Sequence, residues 1–302
     1  MSLAFVGLFR RMCQWLEMIR FSHTLFALPF ALLAAVMAWT VNARNAPPIP
    51  FRWQDLAGIL VCMVFARSAA MAFNRLADRR LDAANPRTQT RHLPARVLSV
   101  AGVVLFTAVC SLGFVGGTLL FLPRNELPLW CSGPVLVFLF AYSFSKRFTV
   151  LSHFWLGAAL ALAPVAAWVA LRAEIAWPPV ILAGAVMLWV AGFDVIYACQ
   201  DYEFDVKTGL RSIPARFGIA RALRAAAACH LGMVVLLALL PSSFPWFGGI
   251  YWTGVAAIAA LLGYEHALVR PDDLARVNQA FFHVNAVVSV GLFLVGTLDL
   301  LW

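Results

Sequence analysis

Nine apolar stretches, each close to the length needed to cross a bilayer, follow one another along this chain of 302 residues. They cover approximately 24–41, 56–73, 97–122, 128–144, 151–171, 179–199, 222–241, 247–268 and 280–301. A helix rises about 1.5 Å per residue, so roughly 20 residues cross about 30 Å of hydrocarbon. Lipid offers backbone groups no hydrogen bonds, and runs of this length satisfy them internally only as helices. Composition agrees: 63% of residues are hydrophobic and 12% charged, where soluble domains carry roughly a quarter charged. The chain therefore reads as an all-α integral membrane protein with nine transmembrane helices, one polytopic domain over 1–302. Its first apolar stretch is too long for the core of a signal peptide, and no small-x-small cleavage site follows it. Trp39, Trp53, Trp130, Trp177, Trp246 and Trp302 stand near stretch ends, where an amphipathic ring anchors at the interface.

Lysine and arginine set the expected orientation. With the N-terminus in the cytoplasm, 18 of the 23 basic residues fall on the cytoplasmic side; Arg44, Arg52, Arg124 and Arg172 fall outside and Arg67 lies within a span. The net charge of +9 is thus a topology signal and does not call for nucleic acid as a partner. The six cysteines are scattered without CxxC or His-Cys spacing and read as small apolar residues.

Against this background two acidic sets stand out. Asn74, Asp78 and Asp82 extend the second stretch; Asp194, Tyr197, Asp201 and Asp205 run out of the sixth. Steps of three and four place each set on one helix face, so its carboxylates converge. Crowded carboxylates near a membrane repel one another and lose hydration, at a cost of several kcal/mol unless cations offset the charge. A mixed-charge solvated face is the alternative for the first set taken alone, since Arg75, Arg79 and Arg80 occupy its other faces. The second set repeats the polarity on the same side, with Asp194 about two turns deeper in a span, where inserting an acid costs about 3 kcal/mol. Mg²⁺ fits such a pair of sets, because it is usually held by a few carboxylates plus substrate phosphates.

Cations accompany the acids. Arg87 and Arg91 lie one turn apart if their segment is helical, Lys146 and Arg147 follow Tyr142, and Arg20 precedes the first span. Arg147 reads as a positive-inside anchor, whereas Arg87, Arg91, Lys146 and Arg20 supply donors for a diphosphate. The chemistry implied is ionisation of an allylic diphosphate, with a dry bundle holding the chain and a nucleophile capturing the allyl cation. Tyr142 and Tyr197 are candidates to face that cation. Segments 74–96 and 200–221 share acidic positions four apart, then basic residues, then Pro-Ala-Arg (94–96 and 214–216), which suggests two related halves. Related halves with intramembrane acids also suit a secondary transporter, but transport expects acids at the midplane, and here all but Asp194 stand at or beyond a boundary. Pro86, Gly209, Pro214 and Gly218 should end helices. The pair Asp272 and Asp273 reads as a helix cap.

The stretches NRLADRRLDAANPRTQTR, YSFSKRFTVLSHFWLG, FDVIYACQDYEFDVKTGLRSIPARFG and YEHALVRPDDLARVNQAFFHVNAVVS resemble the UbiA superfamily of intramembrane aromatic polyprenyltransferases. The resemblance implies nine transmembrane helices around a central cavity open sideways to lipid, with Mg²⁺ bridging a polyprenyl diphosphate. It places metal contacts on Asn74, Asp78, Asp82, Asp201 and Asp205, and diphosphate contacts on Arg87, Arg91 and Lys146. Arg20, Tyr142, Asp194 and Tyr197 take pocket roles. Many members begin the first motif with Asn-Asp; here Arg75 follows Asn74, as in the branch similar to 4-hydroxybenzoate polyprenyltransferases, which IRFSHTLFALPFALLA also resembles. His23 in that stretch would contact the acceptor or cap a helix. The implied activity is transfer of a long isoprenoid chain to an aromatic acid such as 4-hydroxybenzoate, in ubiquinone or menaquinone biosynthesis. A haem or chlorophyll precursor, a naphthoate or a lipid are the alternative acceptors within the same superfamily.

Overall fold

The structure is a computed structural model that describes residues 12–20, 26–41, 49–271, 273–274, 277 and 284–302. His23 and Asp272 lie outside the described residues. Among the described residues nine helices of 13 residues or more coincide with the nine apolar stretches, and no strand is present beyond an isolated bridge between Arg270 and Asp273. In order they are α1 (Leu28–Thr40), α2 (Trp53–Ala84), α3 (Val100–Thr118), α4 (Leu127–Ala141), α5 (Ser152–Arg172) and α6 (Trp177–Ala198). Two short helices, α7 (Tyr202–Thr208) and α8 (Ile213–Phe217), precede α9 (Ile219–Ser243), α10 (Gly249–Leu268) and α11 (Asn285–Leu301).

Six elements are long and apolar enough to cross a membrane: Trp53–Ala84, Val100–Phe121, Leu127–Arg147, Ser152–Arg172, Trp177–Thr208 and Ile219–Ser243. The protein is a multi-pass membrane protein. α1 and α11, with 13 and 17 residues, are shorter, and each adjoins residues outside the described set. α10 has 20 residues but ends in the polar run Tyr264, Glu265, His266.

Helix ends follow local chemistry. Proline stands in the first turn of α1, α4 and α6, where its missing N–H has no intrahelical partner to lose. Gly209 (φ 70°) and Gly218 (φ 81°) close α7 and α8 in a backbone region that side chains disfavour, as the sequence leads one to expect. The Pro-Ala-Arg echo, in contrast, does not share one local structure: residues 94–96 lie in consecutive turns, whereas 214–216 form the middle of α8.

Unlike a water-soluble bundle, this one is apolar outside as well as inside. Leu112 and Leu231 expose 72% and 66% of their surface on the outer face, which suits contact with lipid chains. Inside, Trp189 packs against Phe26, Phe30 and Phe193 with ring centroids 5.0–6.1 Å apart, and its indole N–H donates to Asn285 Oδ1 at 2.7 Å. α5 and α6 approach closely where Gly157 faces Met187, since a β-carbon there would stand 2.3 Å from the Met187 carbonyl oxygen. The two motif-bearing elements, Trp53–Ala84 and Trp177–Thr208, have 32 residues each. About 30 Å of hydrocarbon takes roughly 20 helical residues, so each of these elements is longer than the membrane core requires.

Candidate active site

At the motif end of the bundle a cavity of about 180 Å³ gathers eleven of the twelve residues singled out from sequence. They are Asn74, Asp78 and Asp82 from α2, Arg87 and Arg91 from the following loop, Tyr142 and Lys146 from the 3-10 turn after α4, and Asp194, Tyr197, Asp201 and Asp205 from the α6–α7 element. Arg20 lines an adjoining cavity of about 550 Å³ that shares Arg75, Arg87 and Arg91 with the first.

Two expectations about local shape need correction. The second acidic set does not ride on one continuous α-helix. α6 ends at Ala198, the chain tightens into a 3-10 turn over Cys199–Asp201, and α7 starts at Tyr202. Asp194 and Tyr197 thus belong to α6, Asp201 to the turn and Asp205 to α7. Nor are Arg87 and Arg91 one turn apart on a helix. α2 stops before Asn85-Pro86, because the residue preceding a proline is pushed out of the helical region. Successive turns then carry the two arginines to different carboxylates. Arg87 Nε donates to Asp201 Oδ1 at 2.8 Å, its Nη2 donates to Asp201 Oδ2, and its Nη1 donates to the Tyr197 hydroxyl at 2.8 Å. Arg91 Nη1 donates to Asp82 Oδ1 at 2.7 Å.

The crowded acids are therefore offset in part by the chain's own cations. Asn74 Nδ2 donates to Asp78 Oδ2 at 2.9 Å, and Arg147 Nη2 reaches Asp78 Oδ1 at 3.3 Å and the Ala77 carbonyl at 2.8 Å. Arg147, read from sequence as an anchor, is also a partner of the first motif. Lys146 attracts Asp78, Asp194, Asp201 and Asp205 through space. Burial works against the charge of Arg87, but its bonds to Asp201 and Tyr197 outweigh that penalty and raise its pKa above the usual guanidinium value. The Tyr197 ring already carries this guanidinium, 4.9 Å from its centroid, so of the two tyrosines proposed to face an allyl cation Tyr197 is engaged with Arg87.

Some acceptors remain unmatched. Asp82 Oδ2 and Asp205 Oδ2 are buried with no hydrogen-bond partner, as are the hydroxyls of Ser143 and Ser145. An unpaired carboxylate oxygen in each motif, beside a cavity, suits a divalent cation. Among the described residues no three His, Cys, Asp or Glu side chains converge to hold an ion alone. The carboxylates and Asn74 around the cavity are oxygen donors of the kind that Mg²⁺ takes together with phosphate oxygens.

Three residues escaped the sequence reading. Arg75, assigned there to an outer face of α2, is 8% exposed, lines both cavities and donates from Nε to the Met18 carbonyl at 3.3 Å. Asn85 donates to Asp201 Oδ1 at 2.9 Å and accepts from the Arg87 backbone N–H at 2.9 Å, which fixes the approach of that arginine. His153, given no role, is fully buried with Nδ1 2.7 Å from Asp194 Oδ2. Only Asn85 had a local signal, as the residue that ends a helix before proline and turns back on its own chain.

The chain is similar to known proteins along most of its length. The chain is 34% identical over 237 residues to the 4-hydroxybenzoate octaprenyltransferase of Marinobacter nauticus, covering 78% of this chain and 79% of that protein. It is 32% identical over 273 residues to the enzyme of the same name from Vibrio vulnificus, covering 87% and 90%. Among solved structures, a UbiA homologue from Aeropyrum pernix K1 superposes with a TM-score of 0.76 at 28% identity, over 92% of this chain and 97% of that one. A UbiA homologue from Archaeoglobus fulgidus, at 21% identity, shares the fold with a TM-score of 0.68 over 96% and 100%. Residues 27–287, which run from α1 through both acidic motifs to the start of α11, match the UbiA prenyltransferase family, and the chain belongs to it.

Proposed function

We propose that the protein transfers a polyprenyl group from a polyprenyl diphosphate to an aromatic acid, 4-hydroxybenzoate or a related quinone precursor, with Mg²⁺, at the cytoplasmic face of the membrane. One observation carries the reading: two 32-residue apolar elements each end in an acidic motif, and both motifs meet Arg87, Arg91 and Lys146 around one cavity. The names of the relatives support the acceptor. The Archaeoglobus fulgidus homologue, described as bound to GPP and Mg²⁺, supports the class of donor for the fold.

Asn74, Asp78, Asp82, Asp201 and Asp205 are the residues that would hold Mg²⁺, and the ion would neutralise charge on the leaving diphosphate. Arg87 and Arg91, which rest on Asp201 and Asp82, are placed to exchange onto phosphate oxygens, and Lys146 adds a point charge in the same cavity. The apolar bundle keeps water from the allyl group, so the ring rather than hydroxide captures it. Tyr142 lines the cavity together with Lys146 and Asp194. Asp194 orients the acceptor or takes the proton that the ring loses when it regains aromaticity.

Membranes containing the protein, supplied with Mg²⁺, geranyl diphosphate and a panel of aromatic acids, should yield prenylated 4-hydroxybenzoate by mass spectrometry. Prenylation of a different acceptor alone would refute the proposed acid. The orientation has its own test. In a cysteine-free background, a cysteine at the exposed Gln89, next to Thr88, should be shielded from an impermeant external thiol reagent, and one added after Trp302 should be labelled. The reverse pattern would overturn the topology.

A further inference from the structure

We infer that His153 is a positioning residue for Asp194, and that through it the segment following the second motif is fastened to the reacting carboxylate. The inference rests on the proposed role of Asp194. His153 is the second residue of α5 and is 0% exposed, and its two ring nitrogens face two different elements. The backbone N–H of Ile213, at the start of α8, donates to Nε2 at 3.3 Å. Nε2 is therefore the accepting nitrogen, and the ring proton sits on Nδ1, where it is donated to Asp194 Oδ2 at 2.7 Å. The Asp194 side chain keeps 14% of its surface open and lines the cavity, whereas His153 does not line it. His153 thus acts on the chemistry only through Asp194.

The surroundings make this contact rigid. α5 and α6 close on each other at Gly157 and Met187, one turn beyond His153 and two turns before Asp194 in their helices. The chain leading to Ile213 is pinned as well: Arg211 N donates to the Lys146 carbonyl at 2.7 Å, its Nη1 donates to the Phe148 carbonyl at 2.7 Å, and the Ser212 hydroxyl caps Ala215 N at 3.2 Å. The imidazole therefore joins the helix that carries Asp194 to the start of α8, and the chain leading into α8 is bonded in turn to the turn that carries Lys146. A carboxylate held by one short charge-assisted hydrogen bond keeps a single orientation toward the cavity.

The test compares His153→Leu, which removes both ring contacts, with His153→Asn, whose amide nitrogen stands about where Nδ1 does. His153→Leu should lower kcat about 10- to 100-fold, the worth of one hydrogen bond to a charged group. The donor KM should stay within about threefold, because Arg87, Arg91 and Lys146 are untouched. His153→Asn should recover most of the loss. In an Asp194→Asn background His153→Leu should cost no more than about twofold further, since a residue acting through Asp194 has nothing left to position. Binding of a thiodiphosphate donor analogue reports that each variant is folded. Should His153→Leu not fold, ¹⁵N-histidine-labelled protein gives the second measurement: a downfield Nδ1 proton of His153 that Asp194→Asn removes. Additive losses in the double variant, failure of Asn to rescue, or a downfield proton indifferent to Asp194→Asn would each overturn the inference. A wild-type protein that prenylates no aromatic acid would instead overturn the proposed function, and the proton resonance would still decide the contact.

Discussion

The two ends of the bundle treat buried charge in opposite ways. At the end away from the motifs, Asp55 is fully buried and both of its oxygens are matched: Oδ1 by Arg52 Nη2 at 2.6 Å, Oδ2 by Arg52 Nε and Arg124 Nη2, each at 3.2 Å. Two neighbouring side chains there are matched too. Asn125 Nδ2 donates to the carbonyls of Val169 and Ala170 at 2.7 and 3.0 Å, and Arg172 Nη1 donates to the Ala38 carbonyl at 2.8 Å. At the motif end Arg87 and Arg91 each meet one carboxylate, and Asp82 and Asp205 each keep a buried oxygen with no partner. A saturated network fastens helices together, whereas an unsaturated one beside a cavity holds its capacity for a ligand. Similar residue types thus serve architecture at one end and, on the proposed reading, binding at the other, and the unmatched carboxylate oxygens tell them apart.

The sharpest break of that comparison is removal of the cation that the unmatched oxygens await. Excess chelator should abolish prenyl transfer and Mg²⁺ should restore it, while the thermal unfolding temperature, set in part by the saturated end, moves little. Asp201→Asn and Asp78→Asn should each lower the rate by at least about two orders of magnitude, as removal of transition-state stabilisers does elsewhere. Full activity in chelator would sink the assignment of both motifs.

A smaller effect separates donor from acceptor. Arg91 serves Asp82 and, on the proposed reading, the diphosphate. Arg91→Ala should therefore raise the apparent KM for the prenyl diphosphate about tenfold or more and leave the acceptor KM within about threefold. Equal rises for both substrates would place Arg91 in a general structural role.

How far the chain could be read follows the same division. The apolar stretches were legible because lipid imposes length and hydropathy on each element separately, and each stretch is indeed a helix among the described residues. The acidic sets were legible because local spacing survives folding. What spacing could not supply was pairing across elements. Arg87 reaches Asp201 over 114 residues of sequence and His153 reaches Asp194 over 41, and no periodicity encodes such contacts. Arg75 misled for a related reason: it sits on α2 beside Asn74, yet the 12–20 segment packs over that face and turns it inward. The break at Cys199–Asp201 carries no proline or glycine to announce it.

At the saturated end, Asp55→Asn should cost stability rather than chemistry. It leaves Arg52 and Arg124 sharing a neutral amide, with about a third of each side chain in contact with solvent to soften the loss. An unfolding free energy lower by about 2 kcal/mol is expected, below the 3–5 kcal/mol typical when a fully buried pair is broken. The rate per folded molecule should stay within about threefold of wild type. A rate loss as deep as that of Asp201→Asn would erase the distinction between the two ends.

Arg147 is the case that sharpens the comparison most finely, because it stands at the motif end yet is paired as a structural residue is. Its guanidinium lies 5.0 Å from the Phe144 ring centroid, donates to the Ala77 carbonyl, and reaches Asp78 only at 3.3 Å, with its side chain 41% exposed. Exposed ion pairs contribute about 0–1 kcal/mol and are screened by salt. Asp78 keeps its bond from Asn74 in any case. Arg147→Ala should therefore change kcat and the donor KM by no more than about twofold at moderate ionic strength, with a slightly larger effect at low salt. If Arg147→Ala instead matched Arg91→Ala in its effect on the donor KM, exposure would be a poor guide to function at this end. The diphosphate site would then include Arg147, which lines the same cavity.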